Sequence, residues 1–190
     1  IWACGPWLGK LFPAEIGGLI TPTRQEVFFF GIPAGMTGYS EETMPTWVEN
    51  SPRRYYGIPG NDRRGFKVAE ETPREPFDPS YGDRLPSELG LVEVRQYLHY
   101  RFPALRKAPL LEARVCQYEM SPDGGFIIDR QPGCQNSWFM GGGSGHGFKL
   151  APAAAELMAD MVEGHKGTHE VFALSRFTES DRHKVSRMRF

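Results

Sequence analysis

The stretch "SWFMGGGSGHGFKLAPAAAELMADMVEG", Ser137–Gly164, decides how the chain folds. A short apolar run ends in five glycines among seven residues, with Ser144 and His146 between them. Phe148 and Lys149 follow, then a proline and a run of helix formers. The apolar run predicts a strand. The alanine-rich run predicts a helix that starts near Ala151, with Pro152 at its first position and Gly164 past its end. Glycines between strand and helix permit a backbone approach that a Cβ would forbid. The helix start contributes unpaired N–H groups and the positive end of its dipole. Such a loop suits a negative or electron-rich ligand edge, and Lys149 adds a full positive charge. Taken alone, the same glycines fit a tight structural turn with no ligand.

Working outward, "LLEARVCQYEM", "GFIIDR" and "SWFM" predict three strands, the first two separated by the turn "SPDGG". Before them, "SELGLVEVRQYLHYRFP" predicts a helix with Ser87 as N-cap and Leu91, Val94, Leu98 and Phe102 on one apolar face, stopped by Pro103. "TRQEVFFF" (Thr23 to Phe30) predicts a strand, and "RRYYGIPG" with "GFKVAE" a hairpin joined by "NDRR". The proline-rich run "ETPREPFDPSYGDRLP" predicts irregular structure. The opening "IWACGPW" predicts a strand end, a glycine turn and a proline-started helix, as if the chain opened inside a longer one. Strands with only two substantial helices give an α+β class with a largely antiparallel sheet.

A length of 190 residues with 40% hydrophobic content supports a packed core. The net charge of −1 makes nucleic acid and anionic membranes poor partners, although the tail from Arg182 is mildly basic. No apolar run approaches the roughly 18 residues of a membrane span, and the first residues carry no secretory signal. Three cysteines without a C-x-x-C predict a reducing, cytoplasmic setting. His165 and His169 are four apart but lie in a polar segment, so no metal site is expected.

"GGGSGHGFKLAP" resembles the C-terminal signature of the sarcosine oxidase group in the D-amino-acid-oxidase-like flavoenzyme superfamily. Upstream, "CQYEMSPDGGFIIDRQP" resembles the group's Cys-x-Tyr…(T/S)-P-D-x-x-F-I-I-D segment. "YYGIPGNDRRGFKVA" is similar to its Y-G-x-P…G-x-K strand pair, and "TRQEVFFF" to its R-Q strand. The four segments occur in the family's order and cover roughly residues 1–177. The family binds FAD through an N-terminal G-x-G-x-x-G turn, and no such turn precedes residue 141 here. The resemblance therefore implies the C-terminal half only, with a missing N-terminal FAD-binding half as partner. It implies the end of an FAD-binding segment at 1–22 and a substrate domain at 23–120. The chain would return to the FAD-binding domain at 121–164 and end in a tail at 165–190.

The implied activity is FAD-dependent oxidation of a secondary amine or N-methyl amino acid, giving an imine and hydrogen peroxide, with O₂ as oxidant. A dehydrogenase, a fructosyl-amino-acid oxidase or a non-catalytic substrate-domain remnant are the alternatives. By resemblance, Lys67 faces the flavin and promotes its reaction with oxygen, and Cys116 attaches the FAD covalently. Tyr118 and the loop residues Gly143, Ser144, Gly145, His146, Gly147 and Phe148 bind the cofactor. Lys149 and Tyr56 meet the substrate, with Trp47 and Glu71 at two further pocket positions. Glu71 stands where the sarcosine-specific members carry His, and Trp47 where they carry Met. A carboxylate in place of an imidazole could pair with a cationic amine, which puts sarcosine itself in doubt.

Overall fold

The computed structural model describes residues 1–60, 64–72 and 75–184. The "NDRR" turn except Arg64, residues 73–74 of the proline-rich run and residues 185–190 of the basic tail lie outside the described residues. The chain forms two compact units. One comprises Ile1–Arg24, Pro73–Gly82 and Gln117–Phe190; the other comprises Gln25–Thr72 and Asp83–Cys116. Of residues 23–120, the pieces 23–24, 73–82 and 117–120 fall in the first unit and the rest in the second.

One sheet holds β1 (Thr21–Phe30), β2 (Trp47–Val48), β3 (Tyr55–Ile58), β4 (Phe66–Glu70) and β5 (Leu110–Met120) in the order β2-β3-β4-β1-β5. The β2–β3, β3–β4 and β4–β1 pairs are antiparallel, so the expected hairpin is the β3–β4 pair. Alternation along the strands makes two faces. Phe28, Phe30, Phe66 and Val68 share a core with Val94, Leu98 and Phe102 from the helix side. Val27, Phe29 and Ala69 form a separate cluster with Tyr56 and Cys116 packed on it.

A short helix, α1 (Leu8–Leu11), belongs to the first unit, and α2 (Glu88–Arg101) of the second covers this sheet. Ser87 caps α2 by accepting the Gly90 N–H at 3.0 Å. The buried Glu26 carboxylate takes the Ser87 N–H at 2.5 Å and its hydroxyl at 2.9 Å. A carboxylate at a helix N-terminus is favoured by the dipole.

In the first unit, β6 (Ile127–Arg130) and β7 (Trp138–Gly141) pair antiparallel, and Trp2 bridges in parallel to Phe139. α3 (Gly147–Val162) packs Ala154, Met158 and Met161 against Ile128 and Trp138. Leu8, Ile16, Leu19 and Ile20 pack against Ile127 and Phe139. The helix therefore begins at Gly147 instead of near Ala151, and Pro152 lies inside it. Proline there forgoes the bond to the Phe148 carbonyl four residues back. Phe148 is 97% exposed, so water can serve that carbonyl. Gly164, at φ +80°, ends the helix as expected. Among the described residues no helix is long and apolar enough to cross a membrane. No group of three metal-ligating side chains is assembled among them.

Candidate functional site

The loop Gly141–Gly147 links β7 directly to α3. Gly145, at φ +88°, has no room for a side chain: a Cβ would lie 2.5 Å from the Tyr118 ring. Ser144 is fully buried with a left-handed φ of +46°. Its hydroxyl accepts the Ser121 N–H at 3.1 Å and donates to the Gly142 carbonyl at 2.9 Å, while its N–H donates to the Glu119 carbonyl at 3.2 Å. Ser144 thus shapes the loop from inside. The His146 ring donates through Nε2 to the Gly124 carbonyl at 2.9 Å and meets Phe126 edge-on. That contact ties the helix start to the turn between β5 and β6.

Tyr118, Gly143, Gly145, Gly147 and Phe148 line one cavity of about 430 Å³ in the first unit. Lys149, in the first turn of α3, is exposed. Gln117 and Glu119 line the same cavity and escaped the sequence reading. Glu119 accepts the Gly143 N–H through Oε1 at 3.2 Å. Its Oε2 and the Gln117 Oε1 are buried without a hydrogen-bond partner. Burial pushes the Glu119 carboxyl above the usual carboxylate range, against the opposing pull of the Gly143 and Gly142 N–H groups. Nothing in the sequence separates Glu119 from the other polar residues of the same strand, Glu112, Arg114 and Gln117.

The second unit carries its own cavity, about 280 Å³, lined by Lys67, Cys116, Val27 and Phe29 with Arg64 and Arg114. The Lys67 ammonium sits 5.0 Å from the Tyr56 ring centroid, within cation–π range. Among the described residues, no carboxylate lies within ion-pairing distance of Lys67. The sheet thus brings Lys67, Tyr56 and Cys116 together on one face. Trp47 is separated from them. It stacks with Phe66 and Tyr97 in the helix-side core, where the facing residue, Gly57, leaves space for the indole. The β2–β3 register pairs Trp47 with Gly57, so it lies on the face opposite Tyr56. Glu71 follows β4, its N–H donating to the Arg54 carbonyl at 2.9 Å.

The first-unit cavity combines a cradle that Cβ atoms would fill, a helix N-terminus and two buried orphan oxygens. These features fit a planar group that offers both polar and electron-rich edges, as a flavin ring does. Comparison with known proteins agrees with this chemistry. N-methyl-L-tryptophan oxidase of Salmonella heidelberg (strain SL476) is 29% identical over 189 residues, covering 93% of this chain and 47% of that protein. Monomeric sarcosine oxidase of Bacillus sp. (strain NS-129) is 28% identical over 180 residues, covering 90% and 46%. The chain spans about half the length of these relatives. In fold, it is similar to a modified fructosyl peptide oxidase from Aspergillus nidulans, with TM-score 0.75 at 16% identity over 90% of this chain and 44% of that one. Fructosyl peptide oxidase from E. terrenum gives TM-score 0.74 at 16% identity over 97% and 47%. Residues 1–161 match the family described as FAD dependent oxidoreductase, and the chain belongs to that family.

Proposed function

We propose that the protein carries out FAD-dependent oxidation of a secondary amine or N-methyl amino acid, giving an imine and hydrogen peroxide. The observation that carries this reading is the Lys67 ammonium, half-buried beside Cys116 in one cavity and free of carboxylates among the described residues. A cation in that setting stabilises the negative charge that develops on oxygen as O₂ takes its first electron. When bound, the flavin supplies the acceptor for a hydride equivalent from the carbon next to nitrogen. The glycine loop and the α3 N-terminus favour negative charge on the cofactor. Cys116 is the proposed covalent attachment point, through its sulfur. Tyr118, Gly143, Gly145, Gly147 and Phe148 shape the cofactor cavity, while Ser144 and His146 hold the loop's form.

Tyr56 lines the substrate side, Lys149 takes the substrate carboxylate, and Glu71 pairs with a cationic amine. The dinucleotide-binding G-x-G-x-x-G turn is assigned to sequence outside this chain. The free thiols of Cys4 and Cys134 support a cytoplasmic setting. A second reading is a deglycating oxidase acting on fructosyl amino acids, which Glu71 and Trp47 in place of the group's His and Met leave open.

The test is oxygen uptake by the natural protein with sarcosine, N-methyl-L-tryptophan and fructosyl amino acids in turn, with peroxide measured alongside. Amine-dependent uptake with matching peroxide is expected. Turnover with a dye but not with O₂ would make the protein a dehydrogenase. A protein with no flavin absorbance and no uptake would be a non-catalytic remnant, and the proposal would fail. Flavin absorbance that stays with the denatured polypeptide, and is lost in Cys116→Ser, would establish the covalent link.

A further inference from the structure

The buried Oε2 of Glu119 has no role in holding the fold together. Oε1 fastens the loop through the Gly143 N–H, whereas Oε2 lies beside Gly141 without a hydrogen-bond partner among the described residues. A Cβ at Gly141 would come within 3.1 Å of Oε2, and one at Gly143 within 3.2 Å of Oε1. Two glycines thus leave space around one carboxyl group, and that group lines the cavity the loop encloses. A buried polar atom without a partner costs free energy unless a ligand satisfies it.

Resting on the flavin reading above, we propose that Glu119 is a cofactor-contacting acid. In its neutral form it donates a hydrogen bond from Oε2 to an acceptor on the electron-rich edge of the bound flavin, and so favours the reduced cofactor.

Burial raises the Glu119 pKa, so this carboxyl keeps its proton to a higher pH than an exposed glutamate would. Once ionised, the same group would place negative charge against the electron-rich edge and oppose reduction. Several other titratable side chains lie on the elements around the cavity. Tyr118 shares β5 and lines the cavity. His146 is committed to the Gly124 carbonyl, Lys149 is exposed, and Cys4 packs with the Leu8 cluster. Asp123, in the turn after β5, is held by Arg176, and Asp129 on β6 accepts from Thr168 and the Leu174 N–H.

The test uses the natural flavin-loaded protein, equilibrated with a reference dye of similar potential, and reads the ratio of reduced to oxidised flavin from pH 5 to 9. Glu119→Ala is expected to lower that ratio about tenfold below the Glu119 pKa, the effect of losing one hydrogen bond of roughly 1.4 kcal/mol. Glu119→Gln keeps a donor of the same shape, so its ratio should stay within about threefold of wild type at low pH. It should also lose the extra fall that wild type shows as pH rises through the Glu119 pKa. Equal ratios in wild type and both variants at every pH would overturn the proposal while leaving the flavin assignment intact. A wild-type protein that holds no flavin would defeat both. If Glu119→Ala fails to fold, Glu119→Gln decides alone: a wild-type pH profile in that variant overturns the proposal.

Discussion

Gly145→Ala should damage the protein through two separable causes. The backbone at this position sits at φ +88°, which costs an L-residue with a side chain about 1–2 kcal/mol. The new methyl would also meet three atoms of the Tyr118 ring at 2.5, 2.7 and 2.9 Å. Forcing a group into such a contact costs about 1–3 kcal/mol. The sum, about 2–5 kcal/mol, is a large share of a typical domain's stability of about 5–15 kcal/mol. Two further variants separate the causes. Gly133 has φ +75° and nothing within 4 Å of an added Cβ, so Gly133→Ala should show the backbone share alone. In a Tyr118→Ala background the ring is gone, and adding Gly145→Ala should cost only about 1–2 kcal/mol. Urea unfolding followed by circular dichroism measures all four. A Gly145→Ala protein with the wild-type midpoint, or an equal cost with and without the Tyr118 ring, would refute the reasoning.

Lys67→Met should slow the reaction of reduced protein with oxygen about 100-fold or more, while reduction by amine stays within a few-fold in stopped-flow traces. Ser87→Ala should lower the urea midpoint by an amount worth about 1–3 kcal/mol, because it removes the α2 cap and one donor to buried Glu26. Burial opposes ionisation of Asp123, but its bonds from Arg176 and the Gly125 N–H win and hold its carboxyl below the usual range. Stability from this group is complete above the unfolded value near pH 4 and is lost as pH falls through the lower folded value. Asp123→Asn should therefore flatten the acid limb of the stability–pH curve. Glu119 has the opposite sign: its raised carboxyl makes folding less favourable as pH climbs above about 4.3, so Glu119→Gln should gain stability over wild type toward neutral pH in the flavin-free protein.

Local chemistry made most elements readable from sequence. Ser87 before an apolar face and Pro103 after it bounded α2, and the two short runs around Tyr56 and Lys67 paired as a hairpin. The start of α3 was misplaced because proline prefers a first helical position, yet exposure at Phe148 makes an interior Pro152 tolerable. β2 was missed because two residues carry no periodicity. Trp47 illustrates a limit of linear reading. Its distance along the chain from Tyr56 was visible, but the face it occupies depends on register, and one residue decides it. Glu119 was invisible for a related reason: a carboxylate in a strand reads as a solvated edge until the fold closes a loop over it.

The order in which the segments of the first unit appear along the chain has a consequence for synthesis. Leu8, Ile16, Leu19 and Ile20 share their core with Ile127 and Phe139, which lie more than a hundred residues later. Between them comes nearly all of the second unit, which can gather its own core as soon as Cys116 has emerged. At about 5–20 residues per second, the early apolar residues wait roughly 5–20 s for their partners. During that interval they lack the partners that Ile127 and Phe139 supply. The protein's yield in cells should therefore respond more to translation speed and to chaperones that hold nascent chains than its finished stability would suggest.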